Sequence, residues 1–384
     1  MAAVAYHAER VVVPEGVARD AYLVVEDGRF SAVLAERPAC EVVECGDAWI
    51  VPGYVDTHIH GFANRDVMDC DADGVNVASE ELLRHGTTSW LATTLTASFE
   101  ETGRACASVR AARDARGQGF MGARLAGIFL EGPFFCEKRK GAQNGKYLAD
   151  PSIEWLRAWQ READGMIVKS ALAPERAGSA EYIRQATAEG VVCAIGHTDA
   201  TYDQARAGVE AGATVFVHTY NAMSPLAHRE PGVVGCAMTS PDAFAELICD
   251  GHHVHPAAVG ALVAAKGWEH VALVSDCLRC GGMPDGDYVL GELPIVLEGG
   301  VAHLRDEGNL AGSVLTLDVA VQNVVAWGVA TPEEAIRMAS EVPARSCGLA
   351  DSCGVIAAGR LADFNVLAPD LTLRQTYLGG ILVG

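Results

Sequence analysis

Cations are scarce in this 384-residue chain: Lys and Arg number 29 against 50 Asp and Glu, a formal charge of -21. A field of that sign repels phosphate backbones and acidic lipid, which argues against nucleic acid or an anionic membrane as partner. An anionic small substrate would need cations placed locally to offset the field. Long apolar runs are lacking too. None reaches the ~20 residues that cross a bilayer, and Glu9 and Arg10 arrive before an apolar h-region could form, so no signal peptide is expected. The 12 Cys show no paired framework, which suggests reduced thiols and a cytoplasmic protein. Internal repeats and low-complexity linkers are absent as well.

What is present is ordinary for a globular α/β enzyme: half the residues are hydrophobic and Gly numbers 41. Residues 1–50 alternate short β-type runs with turns such as Asp27-Gly28. From Val51 the rhythm changes to short apolar strands separated by helix-length amphipathic stretches, the pattern of parallel βα units. Strands are expected at 51–57, 87–95, 124–131, 165–172, 191–197, 213–219, 245–250 and 271–276. Eight is the barrel number, and a (β/α)8 TIM barrel uses about 250 residues. Helices are expected over 100–113, 152–160, 179–189, 201–211, 256–265, 314–327 and 332–347, and a hairpin over 287–304 at the barrel mouth. Because a lone β-element of some 50 residues is marginal, the N-terminal segment 1–50 is expected to pair with the β-type segment 350–384 in a small β-sandwich beside a barrel of residues 51–349.

The chemistry concentrates at strand ends, where the active sites of such barrels form. The first strand closes in Asp56-x-His58-x-His60, and residues two apart on a strand share a face. Paired imidazoles on one strand are common ligands of a divalent ion. Glu131 ends the apolar run Leu125–Leu130, where an unpaired carboxylate is costly; its bland alternative is a helix N-cap. His197 and His218 close two further strands. Each alone reads as a structural core histidine; together, with Glu131 and the H-x-H, they read as ligands. Asp276 ends the eighth strand, placed to move a proton for an activated water. Cys277-x-x-Cys280 has redox spacing but no companion, and reads as structural. The run Lys138-Arg139-Lys140 reads as a solvated loop. In Asp250-Gly-His-His-Val-His255, His253 is the candidate for substrate contact.

These residues and the motifs around them resemble those of the amidohydrolase superfamily, and within it the family of N-acetylglucosamine-6-phosphate deacetylases. The resemblance runs through P-G-x-x-D-x-H-x-H-G at 52–61, L-E-G-P-F at 130–134, G-H-T at 196–198, H-x-Y-N-A-M at 218–223, R-E-P-G at 229–232, D-G-x-H-V at 250–254, S-D at 275–276, L-A-G-S at 310–313 and G-x-I-x-x-G-x-x-A-D-F at 354–364. It covers nearly the whole chain. It implies that Glu131, His197 and His218 hold a principal divalent ion (zinc, iron, manganese or cobalt) and that Asp276 is the acid/base. It further implies that Gln143, Asn221, Ala222, Arg229, His253 and Leu310 contact an amino-sugar phosphate. Arg229 in some members reaches across a homodimer interface. His58 and His60 are retained here, so one ion or two remain open. No strand presents an obvious Lys of the kind that other branches carboxylate between two metals. One departure is Gln143, where the family usually has His. The implied reaction is hydrolysis of the N-acetyl group of N-acetylglucosamine 6-phosphate; the alternative is another N-acyl sugar, an N-acyl amino acid or a cyclic amide. A non-enzymatic scaffold is disfavoured because no ligand has been lost.

Overall fold

The computed structural model describes residues 3–117 and 119–383. Eight parallel strands, Tyr54–Ile59, Thr87–Thr93, Arg124–Glu131, Ile167–Leu172, Val192–Ile195, Val215–Phe216, Phe244–Ile248 and Val271–Val274, lie side by side in sequence order. Here they are called barrel strands one to eight. Six fall within the segments read as strands; Tyr54–Ile59 runs two residues past the expected 51–57, and Phe244–Ile248 starts one residue before the expected 245–250. The seam between strands eight and one is not a continuous ladder. It is closed just beyond both strand ends, where Asp276 N–H donates to His58 O at 2.8 Å and His60 N–H to Cys277 O at 2.9 Å. The barrel is therefore stitched shut at the rim that carries the chemistry.

Helices cover the strands, and their starts are written locally. Ser98 and Glu101 form a reciprocal capping box before Phe99–Asp114, Thr201 and Gln204 do so before Tyr202–Ala211, and Pro256 opens Pro256–Lys266. Two helices lie where none was expected: Ala72–Leu82 and Gly232–Thr239. The first is interrupted by Gly74, Val75, Asn76 and Val77 and the second holds two Gly and two Val, all poor helix formers; burial of Val75, Ala78 and Leu82, and of Val233, Val234 and Cys236, overrides propensity. The helix expected over 332–347 is two, Pro332–Met338 and Glu341–Ser346. Pro343 has no N–H to continue a helix through that point, and it sits instead in the first turn of the second. Ala339 O, freed at the break, accepts from Val55 N on barrel strand one at 2.9 Å.

The chain ends pair through one hydrogen-bonded sheet of eight strands, where a sandwich was expected. Val4–Val13 pairs with Gly16–Glu26, and Trp49–Pro52 bridges from Val4–Val13 to the C-terminal strand Phe364–Leu367. The run beginning at Val51 is thus divided: residues to Pro52 belong to this sheet, and barrel strand one starts at Tyr54, after Gly53. A Cβ at Gly53 would collide with the Thr88 side chain at 2.1 Å. The sheet encloses its own core, with the Phe364 ring stacked on Tyr377 and edge-on to Tyr6. The hairpin over 287–304 is a three-stranded meander, Gly286–Leu290, Leu293–Glu298 and Val301–Leu304, and its Leu290 turns toward the barrel mouth. Among the described residues no helix is long and apolar enough to cross a membrane.

Candidate metal centre and active site

Glu131 is the hub. Its Oε1 lies 3.2 Å from His58 Nε2, 3.3 Å from His197 Nε2 and 3.2 Å from His218 Nε2, while Oε2 lies 3.3 Å from His60 Nε2 and 2.6 Å from Gln143 Nε2. Four segments, carrying His58 with His60, Gln143, His197 and His218, converge on one carboxylate. His197 and His218 face each other through their Nε2 atoms at 3.1 Å. Nitrogens so close to each other and to one oxygen point to a shared cation, and two ligand sets can be drawn: Glu131 with His197 and His218, and Glu131 with His58 and His60. His58 Nε2 is buried without a hydrogen-bond partner, as expected of an atom kept for an ion.

The local backbone aims these groups. His197, His218 and Asp276 each follow the last residues of a strand and adopt left-handed φ values of 48°, 28° and 51°. Such conformations cost roughly 1–3 kcal/mol each for non-glycine residues, and here they turn three side chains inward over the barrel end. His197 is held by the carbonyl of Arg139, 3.0 Å from its Nδ1, so its Nε2 faces Glu131. The loop carrying that carbonyl is not merely solvated, as its basic run suggested: Lys138 and Arg139 both clasp Asp199, at 2.5 and 2.9 Å.

Electrostatics agree with a cation site. Burial raises the pKa of Glu131, but the surrounding imidazoles outweigh it and hold the carboxyl well below its ordinary range. Asp276, with Oδ1 3.2 Å from His60 Nε2 and 3.4 Å from His58 Nε2, is lowered for the same reason against the same desolvation. Reciprocally, burial opposes charge on His58 and His60, yet Glu131 and Asp276 pull them up to about 9 and about 10. Two buried carboxylates thus demand positive charge beside them. His218, where desolvation wins, is lowered and ready to ligate as the neutral ring.

The other candidates divide. Gln143, Asn221, Ala222, His253 and Leu310 line one cavity with Glu131 and Asp276. Gln143 is doubly committed: besides its bond to Glu131, its Oε1 accepts from Thr96 N at 2.8 Å. His253 Nδ1 is 2.6 Å from Asp250; burial alone would lower its pKa, and the carboxylate raises it. Arg229 does not line the cavity and is exposed on the loop after Ser224. Asp56 is no ligand. Its Oδ1 accepts from the backbone N–H groups of His58 and Ser275, one layer below the site, and burial pushes it up to about 6. Cys277 and Cys280 are buried free thiols with pKa values pushed up by desolvation, which fits the structural reading.

Two functional-looking residues escaped sequence reasoning. Lys169, on barrel strand four, is fully buried and ion-paired with the equally buried Glu246 of strand seven, so a strand does present a Lys, inside the barrel and off the cavity lining. The available signal was an acid and a base each stranded among apolar residues in mid-strand.

A closed α/β barrel with acids and imidazoles gathered at the C-terminal rim, flanked by a sheet from both chain ends, defines a metal-dependent hydrolase of the amidohydrolase type. The model of the amidohydrolase family matches residues 49–383, and the chain belongs to that family. Within it the chain falls among the N-acetylglucosamine-6-phosphate deacetylases. The protein of that name from Vibrio furnissii is 38% identical over 98% of this chain and 94% of its own length. An N-acetylgalactosamine-6-phosphate deacetylase from Escherichia coli O157:H7 is also 38% identical, over 98% of both chains. The solved deacetylase of Mycobacterium smegmatis, a variant in complex with N-acetyl-D-glucosamine-6-phosphate, superposes with a TM-score of 0.94 at 33% identity over 100% of both chains. Membership implies a divalent metal, and the donor set fits one.

Proposed function

We propose that the chain hydrolyses N-acetylglucosamine 6-phosphate to glucosamine 6-phosphate and acetate. The observation that carries this reading is the convergence of Glu131, His197 and His218 beside Asp276, in a cavity that also holds Asn221, Ala222 and His253. A divalent ion on the first three residues, zinc by preference, would supply Lewis acidity for the acetyl carbonyl and for the attacking water. Asp276, ionised and within reach of the ligand cluster, takes a proton from the water as its oxygen bonds to the acetyl carbon. It returns the proton to the sugar nitrogen as the C–N bond breaks, so one carboxylate serves as base and then acid. Gln143 has a second amide hydrogen, not used by Glu131, for the acetyl oxygen. His253, oriented by its Nδ1 contact with Asp250, meets the substrate's anionic or hydroxyl oxygens.

His58 and His60 with Glu131 support a second ion. Arg229, exposed and off the cavity of its own chain, is read as a phosphate contact to the neighbouring site of a homodimer, in keeping with a cytoplasmic enzyme. The test is amine release from N-acetylglucosamine 6-phosphate, its galactosamine epimer and the unphosphorylated sugar. The expected order places both phosphorylated sugars far ahead of the free sugar; equal rates with and without phosphate would defeat the assignment of Arg229 and His253.

A further inference from the structure

We propose that the buried Lys169–Glu246 pair is a positioning device for His58, and through it governs uptake of the second ion. The inference rests on the two-ion reading above.

Lys169 and Glu246 are 0% exposed and touch neither the cavity nor the first ligand set. Lys169 Nζ pairs with Glu246 Oε1, lies 3.4 Å from Thr57 O and sits 3.8 Å over the Phe129 ring. The other carboxylate oxygen, Oε2, is 3.3 Å from His58 Nδ1. Phe129 in turn meets the His58 ring edge-on at 4.9 Å. His58 is thus fixed by a hydrogen bond from below and an aromatic wall beside it.

A buried ion pair is weak support for stability, since apolar side chains of similar volume often serve as well or better. What the pair does that apolar groups cannot is accept the Nδ1 proton. With Glu246 as acceptor, the His58 proton stays on Nδ1, and the Nε2 lone pair points at the space between Glu131 Oε1 and Asp276 Oδ1. Lys169 neutralises Glu246 and lets that acceptor be buried. His197 takes its orientation from the Arg139 carbonyl instead, and Glu246 makes no contact with His218 Nδ1, which has no partner. The effect is therefore confined to the ion that uses His58.

The experiment uses full-length protein stripped with a chelator and reloaded with zinc. Bound zinc per chain and the two dissociation constants are read by elemental analysis and chelator competition. The wild type is expected to take two ions. The variant Lys169→Met/Glu246→Leu is expected to keep the first and to bind the second about 10- to 100-fold more weakly, the usual consequence of losing a partner of a ligating His. Circular dichroism of the metal-free forms verifies folding; should that variant not fold, Glu246→Gln, which keeps the volume, is measured in its place with the same expected direction. A wild type that binds one ion sinks the two-ion reading and this inference with it. A wild type with two ions and a variant that binds both unchanged, or weakens both alike, overturns this inference alone.

Discussion

Gln143 offers a direct measure of how the carboxylate hub is held. In Gln143→Ala, Glu131 Oε2 loses a 2.6 Å donor and the Thr96 N–H loses its acceptor. A hydrogen bond to a charged group is worth about 1.5–3 kcal/mol, and a stranded buried N–H costs about 1–3 kcal/mol. Water entering from the adjoining cavity recovers part of both, so a destabilisation of about 2–4 kcal/mol is expected. A divalent ion bound at the proposed Glu131 site should dissociate about 10- to 100-fold more readily. Gln143→Glu separates chemistry from shape: its volume is nearly unchanged, but it removes the donor and sets a second carboxylate against Glu131. Metal affinity should fall further than in Gln143→Ala at neutral pH, because two like charges in hydrogen-bond reach repel unless one is protonated. Chelator competition and thermal melting with and without zinc read both effects. If both variants bind zinc as the wild type does, Gln143 does not support Glu131 and the account of the hub is wrong.

Asp276→Asn should fold and retain zinc at the Glu131, His197 and His218 set, while turnover falls by about 10²–10⁴-fold, equivalent to roughly 3–5 kcal/mol of barrel-rim catalysis at 1.36 kcal/mol per decade; near-normal turnover would remove Asp276 from proton transfer. At the far sheet, His7 lies between Glu44 and Asp20, at 2.7 and 2.9 Å, and although burial opposes it, these two bonds raise its pKa. A raised histidine contributes stability that is full below its unfolded value of about 6.5 and fades as pH climbs through the folded value. His7→Gln should therefore lower Tm by about 1–2 °C at pH 6 and by less at pH 9; an equal loss at both would show that charge on His7 is irrelevant.

The barrel was legible because each strand is an apolar run ending at a polar residue, and the rim ligands because those end residues are costly to bury unpaired. Glu131, His197, His218 and Asp276 stand out as a set at strand ends, although His197 or His218 alone would read as a core histidine. The helices Ala72–Leu82 and Gly232–Thr239 did not, since the Gly-Val-Asn-Val run at 74–77 and the two Gly and two Val of the other argue locally for something else and only packing decides. Pairwise partners lie further out of reach. Nothing in the order of residues says that Lys169 and Glu246 meet 77 positions apart, or that the carbonyl of Arg139 selects the ring face of His197. Gln143 was visible as a departure from the family, but its dual bond to Glu131 and Thr96 depends on how the loop after strand three folds back.

The closure of the barrel at Asp276 and His58 has a consequence for the order of events during synthesis. A nascent chain that has emerged only as far as barrel strand seven already contains Glu131, His197 and His218, yet no sheet edge is sealed and the proton carrier has not been made. On the proposed mechanism, turnover therefore waits until the last strand is laid against the first.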